Sequence, residues 1–394
     1  MNLQKIKQAA LRLSQTTEAK RNLFLKNLSR ALFRNRKKII AANVKDRARA
    51  KTANLPTAFI ERLVLDEKGV QHLTAKLKSL VRLKSGLGEV IEKTKQKNGL
   101  VLKKIRTPLG VLAVIYEARP EVTIDVAALC IKSGNAAILK GGSEALSTNK
   151  ALYECIRIAL RESNLPVDAL YFIATGNRKV TDALLKRHDV IDLVIARGGY
   201  GMVRGGMEKS KIPVLAHAAG GARIYVDKSA DLEMAEKIIV NAKITKPAAC
   251  NSVDTILVHR AIARTFVPKI TNALHRKDVA IVNGQWDTEF LALKVGIQVV
   301  KDSNEAIAFI NQHTKKHTEG IIATDTRVIR DFVNGIDAAA LFVNCSTRLH
   351  DGYVFGLGSE MGISTSKLHA RGPVGLKELT TYKWEMYGTG NIRT

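Results

Sequence analysis

The chain has 394 residues and carries 63 lysines and arginines against 36 acidic residues, a formal net charge of +27. At 46% hydrophobic it can bury a large core, and its length suits two or three domains. No apolar run approaches the roughly 18 residues of a membrane span, and 5% aromatics leave little for stacking nucleic-acid bases.

Much of the basic excess lies in the first fifty residues, including Arg34-Asn35-Arg36-Lys37-Lys38. No nucleic-acid module accompanies it, so these charges read as a solvated helical face. Their field would still attract polyanionic small molecules such as a dinucleotide or an acyl phosphate. The segment Met1-Asn2-Leu3-Gln4-Lys5 lacks the apolar core of a secretion signal. The four cysteines (130, 155, 250 and 345) form no CxxC pair, which fits free thiols in a reducing cytoplasm.

In chain order, residues 3–85 predict helix after helix, with Leu25, Leu28, Leu32 and Ile39 on one face. A hairpin follows, Val90-Ile91 against Leu100-Val101-Leu102, with a tight two-residue turn at Asn98-Gly99. From Gly110 the pattern changes. Val111–Tyr116 reads as a strand buried on both faces, Val122–Ile131 as a helix and Ala136–Leu139 as another buried strand. A helix then runs to about Glu162, and Tyr171–Ala174 and Ile191–Ile195 repeat the strand theme. This alternation predicts an α/β fold with a doubly wound parallel sheet. A second α/β unit begins near Asp231, with strands after Cys250, at Val299-Val300, Ile321-Ile322 and Ala340–Val343. The C-terminal stretch through Tyr382-Lys383-Trp384 alternates like an extended strand.

Cys250 stands in Lys246-Pro247-Ala248-Ala249-Cys250-Asn251-Ser252, a turn of small residues before a buried strand. An accessible, rigidly held thiol there suits a nucleophile, and Lys243 and Lys246 are close enough in sequence to favour the thiolate. A small buried hydrophobe is the other reading. Lys140-Gly141-Gly142-Ser143 lies between a strand and a helix, where backbone amides, an ammonium and a hydroxyl suit a phosphate; a plain turn would look the same. Arg197-Gly198-Gly199-Tyr200-Gly201 is a second opening of that kind. His313 and His317 could share a helix face near Glu319, but no third ligand cluster accompanies them, and no metal site is expected.

The order of motifs carries a resemblance. Gly110-Val111 through Ile115-Tyr116-Glu117-Ala118-Arg119-Pro120, then Ser133-Gly134-Asn135-Ala136 and Lys140–Glu144, resemble the γ-glutamyl phosphate reductases. So do Asn241-Ala242-Lys243 running into Cys250-Asn251, Phe342-Val343-Asn344 with Ser346-Thr347-Arg348, and Gly362–Thr365. Leu368-His369-Ala370-Arg371-Gly372-Pro373 and Thr380–Lys383 complete the set, over nearly the whole chain. That family belongs to the aldehyde dehydrogenase superfamily. The resemblance implies NADPH-dependent reduction of L-glutamyl 5-phosphate to L-glutamate 5-semialdehyde with phosphate release, in proline biosynthesis. It implies a dinucleotide-binding domain over 1–89 and 108–227, with 355–378 returning to it, and a catalytic domain over 228–354. Residues 90–107 and 379–394 would form a small β oligomerisation element. A homo-oligomer, coupling to a glutamate 5-kinase and a cytoplasmic location follow as expectations.

By the same resemblance Cys250 is the nucleophile, and backbone amides around Cys250 and Asn251 are the oxyanion donors. Lys140, Gly141, Gly142, Ser143, Arg197, Gly198, Gly199 and Glu289 would bind NADP; Arg119, Glu121, His369 and Arg371 would bind substrate. Water-using members carry a carboxylate base in a Glu-Leu-Gly-Gly-type segment; here Ala216–Arg223 has none before Asp227, which favours reduction of an acyl phosphate. The chain also departs from the family. Glu121 stands where an asparagine is usual, Gly220–Arg223 replace a stretch that often holds a cysteine and a histidine, and the piece from Val258 to Trp286 is about twenty residues shorter than is common. The alternatives are a relative using another acyl phosphate or aldehyde, or an impaired member with a polyanion-binding role.

Overall fold

The computed structural model describes residues 3–117, 119–217 and 220–393, in two compact units. The first comprises residues up to Ala216 with 356–362 and 374–394; the second runs from His217 to Phe355 with 363–373.

The first unit opens on helices α1 (Leu3–Ser14), α2 (Glu18–Arg34), α3 (Arg36–Thr52), α4 (Thr57–Arg62) and α5 (Glu67–Arg82). The Thr17 and Asp66 side chains cap α2 and α5 by accepting backbone N–H bonds. Leu25, Leu28, Leu32 and Ile39 are all buried, but on two helices rather than one. Asn35 divides them, its side-chain amide donating back to the Ala31 carbonyl at 2.8 Å. The basic run around it is largely paired or solvated: Arg34 meets Glu162 and Arg36 meets Glu67.

After strands β1 (Val90–Lys95) and β2 (Val101–Pro108) comes the alternating region. It contains β3 (Val111–Tyr116), α6 (Glu121–Lys132), β4 (Ala136–Gly141), α7 (Leu146–Glu162), β5 (Leu170–Phe172), α8 (Arg178–Leu184), β6 (Leu193–Arg197), α9 (Tyr200–Lys209) and β7 (Val214–His217). Every residue of β3 and β4 is buried, as expected for strands covered on both faces. The sheet order is β5-β4-β3-β6-β7, and the β5–β4, β4–β3 and β3–β6 pairs are parallel. The strand order therefore reverses between β3 and β6, which opens a crevice at their carboxyl ends.

The second unit contains β8 (Ala222–Val226), α10 (Leu232–Ile244), β9 (Val253–His259), α11 (Arg260–His275), β10 (Ala280–Ile281) and β11 (Lys294–Val300). It continues through α12 (Ser303–His313), β12 (Thr318–Ile322), α13 (Thr326–Gly335), β13 (Ala340–Val343) and the short pair β14 (Ile363–Ser364) and β15 (Gly372–Pro373). Its six-stranded sheet runs β10-β11-β9-β8-β12-β13, every pair parallel. The boundary falls at Ala216, earlier than the expected 227, because β8 is bonded between β9 and β12. Residues 363–373 likewise belong to the second unit, where the resemblance implied a return to the first.

The last strand, β16 (Thr380–Tyr387), pairs antiparallel with β2, giving the sheet β1-β2-β16. The β1–β2 turn is longer than two residues. The Gly99 N–H donates to the Gln96 carbonyl, the Gln96 N–H to that of Leu100, and only Gly99 takes positive φ (+87°). This is the turn-plus-bulge form of hairpin, which a glycine at that one position satisfies. No helix among the described residues is long and apolar enough to cross a membrane.

Candidate active site

In the second sheet, register brings the candidate chemistry to one edge. Val253 of β9 pairs with Ala222 of β8, which pairs with Thr318 of β12. The residues just before these strands (Cys250, Gly220 and His317) are therefore presented at the same amino-terminal edge. Gly220 packs hard on the cysteine: a Cβ there would lie 2.4 Å from the Cys250 Cβ, and the Gly221 N–H donates to the Cys250 carbonyl at 2.7 Å. Only glycine permits that approach.

The segment lying against the cysteine carries no carboxylate at Gly220 or Gly221. The next one in sequence, Asp227, accepts from the Tyr225 hydroxyl at 2.8 Å and from the Ser229 hydroxyl and N–H. Ala218 and Ala219 of this segment lie outside the described residues.

Asn251 is buried, and its side chain is used structurally: the amide donates to the His350 carbonyl at 2.9 Å. Its own carbonyl accepts from the Thr347 hydroxyl at 2.8 Å. The Asn251 backbone N–H has no hydrogen-bond partner among the described residues. Lys243 does not serve the thiolate as expected. Its buried ammonium donates to the Val253 carbonyl at 2.8 Å and to Asp254 at 3.3 Å. Burial pulls the Lys243 ammonium below its ordinary value, while Asp254 opposes that shift.

The other thiols are less suited to attack. Cys130 and Cys155 are buried; desolvation pushes Cys155 up to about 12 and Cys130 higher still. Cys345 is half-buried and also raised by burial. Cys250 is half-exposed.

Glu289 lies in this unit, half-buried beside Phe290, whose N–H donates to Asp254 at 3.3 Å. It is thus on the same unit as Cys250 and not on that of the glycine turns. His369 is exposed, and Arg371 donates to Asp337 at 2.6 Å. Lys316 and Lys367 converge on the same carboxylate. Arg371, expected at substrate, has one nitrogen committed to Asp337, while its Nε and Nη2 are buried without a hydrogen-bond partner among the described residues. His313 closes α12 and faces Asp287 at 3.3 Å, whereas His317 lies beyond the helix and bonds Thr318. The two histidines do not share a helix face.

Arg371 first, and then Lys316, hold the Asp337 carboxyl below the usual carboxylate range. A depressed folded-state value means stability present above 3.8, the ordinary value, and lost as pH falls through the lower one. Asp337→Asn is therefore expected to lower stability near neutrality and to flatten its fall on acidification. Urea unfolding of both proteins over an acidic pH series measures this; parallel curves would refute it.

In the first unit, Lys140-Gly141 and Arg197 close β4 and β6, so both glycine turns lie at carboxyl ends of parallel strands. The Glu117 carboxylate already accepts from the Gly199 N–H at 2.8 Å, at the N-terminus of α9. That amide therefore receives an anionic oxygen in this fold. Lys140 is buried, its ammonium donates to the Gly141 carbonyl at 2.9 Å, and desolvation lowers it, offset by Glu144. Its remaining N–H groups suit a phosphate. The glycines at 141 and 142 have a packing reason too, since a Cβ would strike Asn149 at one and Glu144 at the other. This donor set fits a dinucleotide. Arg119 and Glu121 flank Pro120 at the start of α6, and a carboxylate in a first turn favours the helix dipole.

A model of the aldehyde dehydrogenase family matches residues 2–290. The γ-glutamyl phosphate reductase of Carboxydothermus hydrogenoformans is 44% identical over 405 residues, covering 99% of this chain and 98% of that protein. The chain belongs to the aldehyde dehydrogenase family, with the γ-glutamyl phosphate reductases. It is an oxidoreductase. The γ-glutamyl phosphate reductase of Moorella thermoacetica is 41% identical over 406 residues, covering 99% of this chain and 97% of that one. The crystal structure of the Thermotoga maritima reductase superposes with a TM-score of 0.97 at 37% identity, covering 100% of this chain and 99% of that one.

In the sequence, Ser346-Thr347-Arg348 stands out only as part of the resemblance. The contacts of Thr347 and His350 with Asn251 join residues about a hundred positions apart, so no local pattern marked them.

Proposed function

We propose that the chain reduces L-glutamyl 5-phosphate to L-glutamate 5-semialdehyde with NADPH, releasing phosphate, in proline biosynthesis. One observation carries this reading: Gly220 lies directly on the half-exposed Cys250, and the Gly220–Arg223 segment carries no carboxylate of its own, which favours acyl transfer over hydrolysis of a thioester. The full-length likeness to reductases of that name supplies the substrate.

In this mechanism the Cys250 thiolate attacks the acyl carbonyl, the C–O bond to phosphate breaks, and phosphate leaves with its electron pair. The Asn251 N–H stabilises the developing oxyanion. A nicotinamide dinucleotide, when bound, supplies a hydride; Lys140, Ser143 and the Arg197–Gly199 turn would hold its phosphates. Collapse of the thiohemiacetal on Cys250 frees the aldehyde and restores the thiolate. We also assign the β1-β2-β16 sheet to self-association, since Tyr382, Trp384, Met386 and Tyr387 are exposed along β16.

The test is an assay of the reverse reaction, reduction of NADP⁺ by glutamate semialdehyde, with and without phosphate. Turnover that requires phosphate supports the reading. Faster turnover with another aldehyde, or with coenzyme A in place of phosphate, would overturn it.

A further inference from the structure

Arg348 lies in the helical turn Thr347–Leu349, just after β13, and the Ser346 hydroxyl accepts its N–H. The residues on either side fasten this turn to the nucleophile loop. Thr347 donates its hydroxyl to the Asn251 carbonyl, and the Asn251 amide donates to the His350 carbonyl. These bonds run in opposite directions and clamp the turn against Cys250-Asn251. The Arg348 Nε is buried and has no hydrogen-bond partner among the described residues.

We propose that Arg348 is a positioning residue for Cys250, its guanidinium holding the sulfur as thiolate. This rests on the reading of Cys250 as the nucleophile.

Several charged groups surround this loop besides Arg348. Lys243 is spent on Asp254 and the Val253 carbonyl. Lys246 is exposed on the cysteine's own turn. His350 reaches His317 through the Thr318 hydroxyl. Asp351 is the competing anion. Burial lowers the Arg348 guanidinium, and the negative charges of Cys250 and Asp351 work against that loss. The coupling is mutual: what the thiolate does for the guanidinium, the guanidinium does for the thiolate.

The test is the pH profile of Cys250 alkylation by iodoacetamide, read by mass spectrometry in a Cys345→Ser background. No substrate or cofactor enters, so failure of the proposed reaction and failure of this inference are separable. Arg348→Gln is expected to raise the alkylation midpoint by about one pH unit, a roughly tenfold slower reaction below it. Arg348→Lys is expected to restore most of the shift, and Asp351→Asn to move the midpoint the other way. A wild-type midpoint in folded Arg348→Gln overturns the proposal. If that variant does not fold, Asp351→Asn decides: a lowered midpoint supports the proposal and an unchanged one overturns it.

Discussion

Alanine at Cys250 is expected to lower phosphate-dependent reduction of NADP⁺ by roughly three orders of magnitude or more, with the fold intact. Cys250 carries the acyl group in the proposed reaction, and the Gly220–Arg223 segment has no carboxylate of its own to activate water instead. The side chain is half-exposed, so its loss leaves no large cavity, and stability should stay within about 1 kcal/mol of wild type. The measurement is the reverse assay on variant and wild type, with thermal unfolding beside it. Activity within about tenfold of wild type would remove the thioester route. Loss of activity together with loss of fold would make Cys250 a packing residue.

The second large effect concerns stability. Arg223 and Glu319 pair across β8 and β12, both fully buried, with the Arg223 Nη1 at 3.2 Å from the carboxylate and the Arg223 N–H at 3.0 Å. The same guanidinium donates to the carbonyls of Trp286 and His313, so one side chain ties two loops to the sheet. Desolvation pushes Glu319 up to about 7, and removing Arg223 would leave that carboxyl without its main support. Arg223→Leu is expected to cost about 3–5 kcal/mol, and the double variant with Glu319→Leu distinctly less, because no buried charge is then left unpaired. Trp286 fluorescence during urea unfolding, in a Trp384→Phe background, reports this unit directly. A single variant as stable as wild type, or a double variant worse than the single, would contradict the pairing.

Much of the fold was legible because its signals are local. The unbroken apolar runs of β3 and β4, and the strand–turn–helix rhythm around Lys140 and Arg197, reflect strands buried on both faces. Departures came where two elements shared one pattern. The stripe from Leu25 to Ile39 continues across Asn35 because both helices bury against the same core, so periodicity could not show the break. The strand Ala222–Val226 follows β7 with little between them, and only its pairing to β9 and β12 assigns it to the second unit.

The candidate site divides in the same way. By itself the sequence offered Cys250 as a candidate nucleophile, the two glycine turns, and a segment without the usual carboxylate, since each depends on residue type at a short spacing. Tertiary structure decided which charges serve the site. Lys243, seven residues from Cys250, turns to Asp254, whereas Arg348 arrives from the far end of the second unit on a turn bonded to Asn251. A charge acts through distance and burial, and neither is a property of chain position.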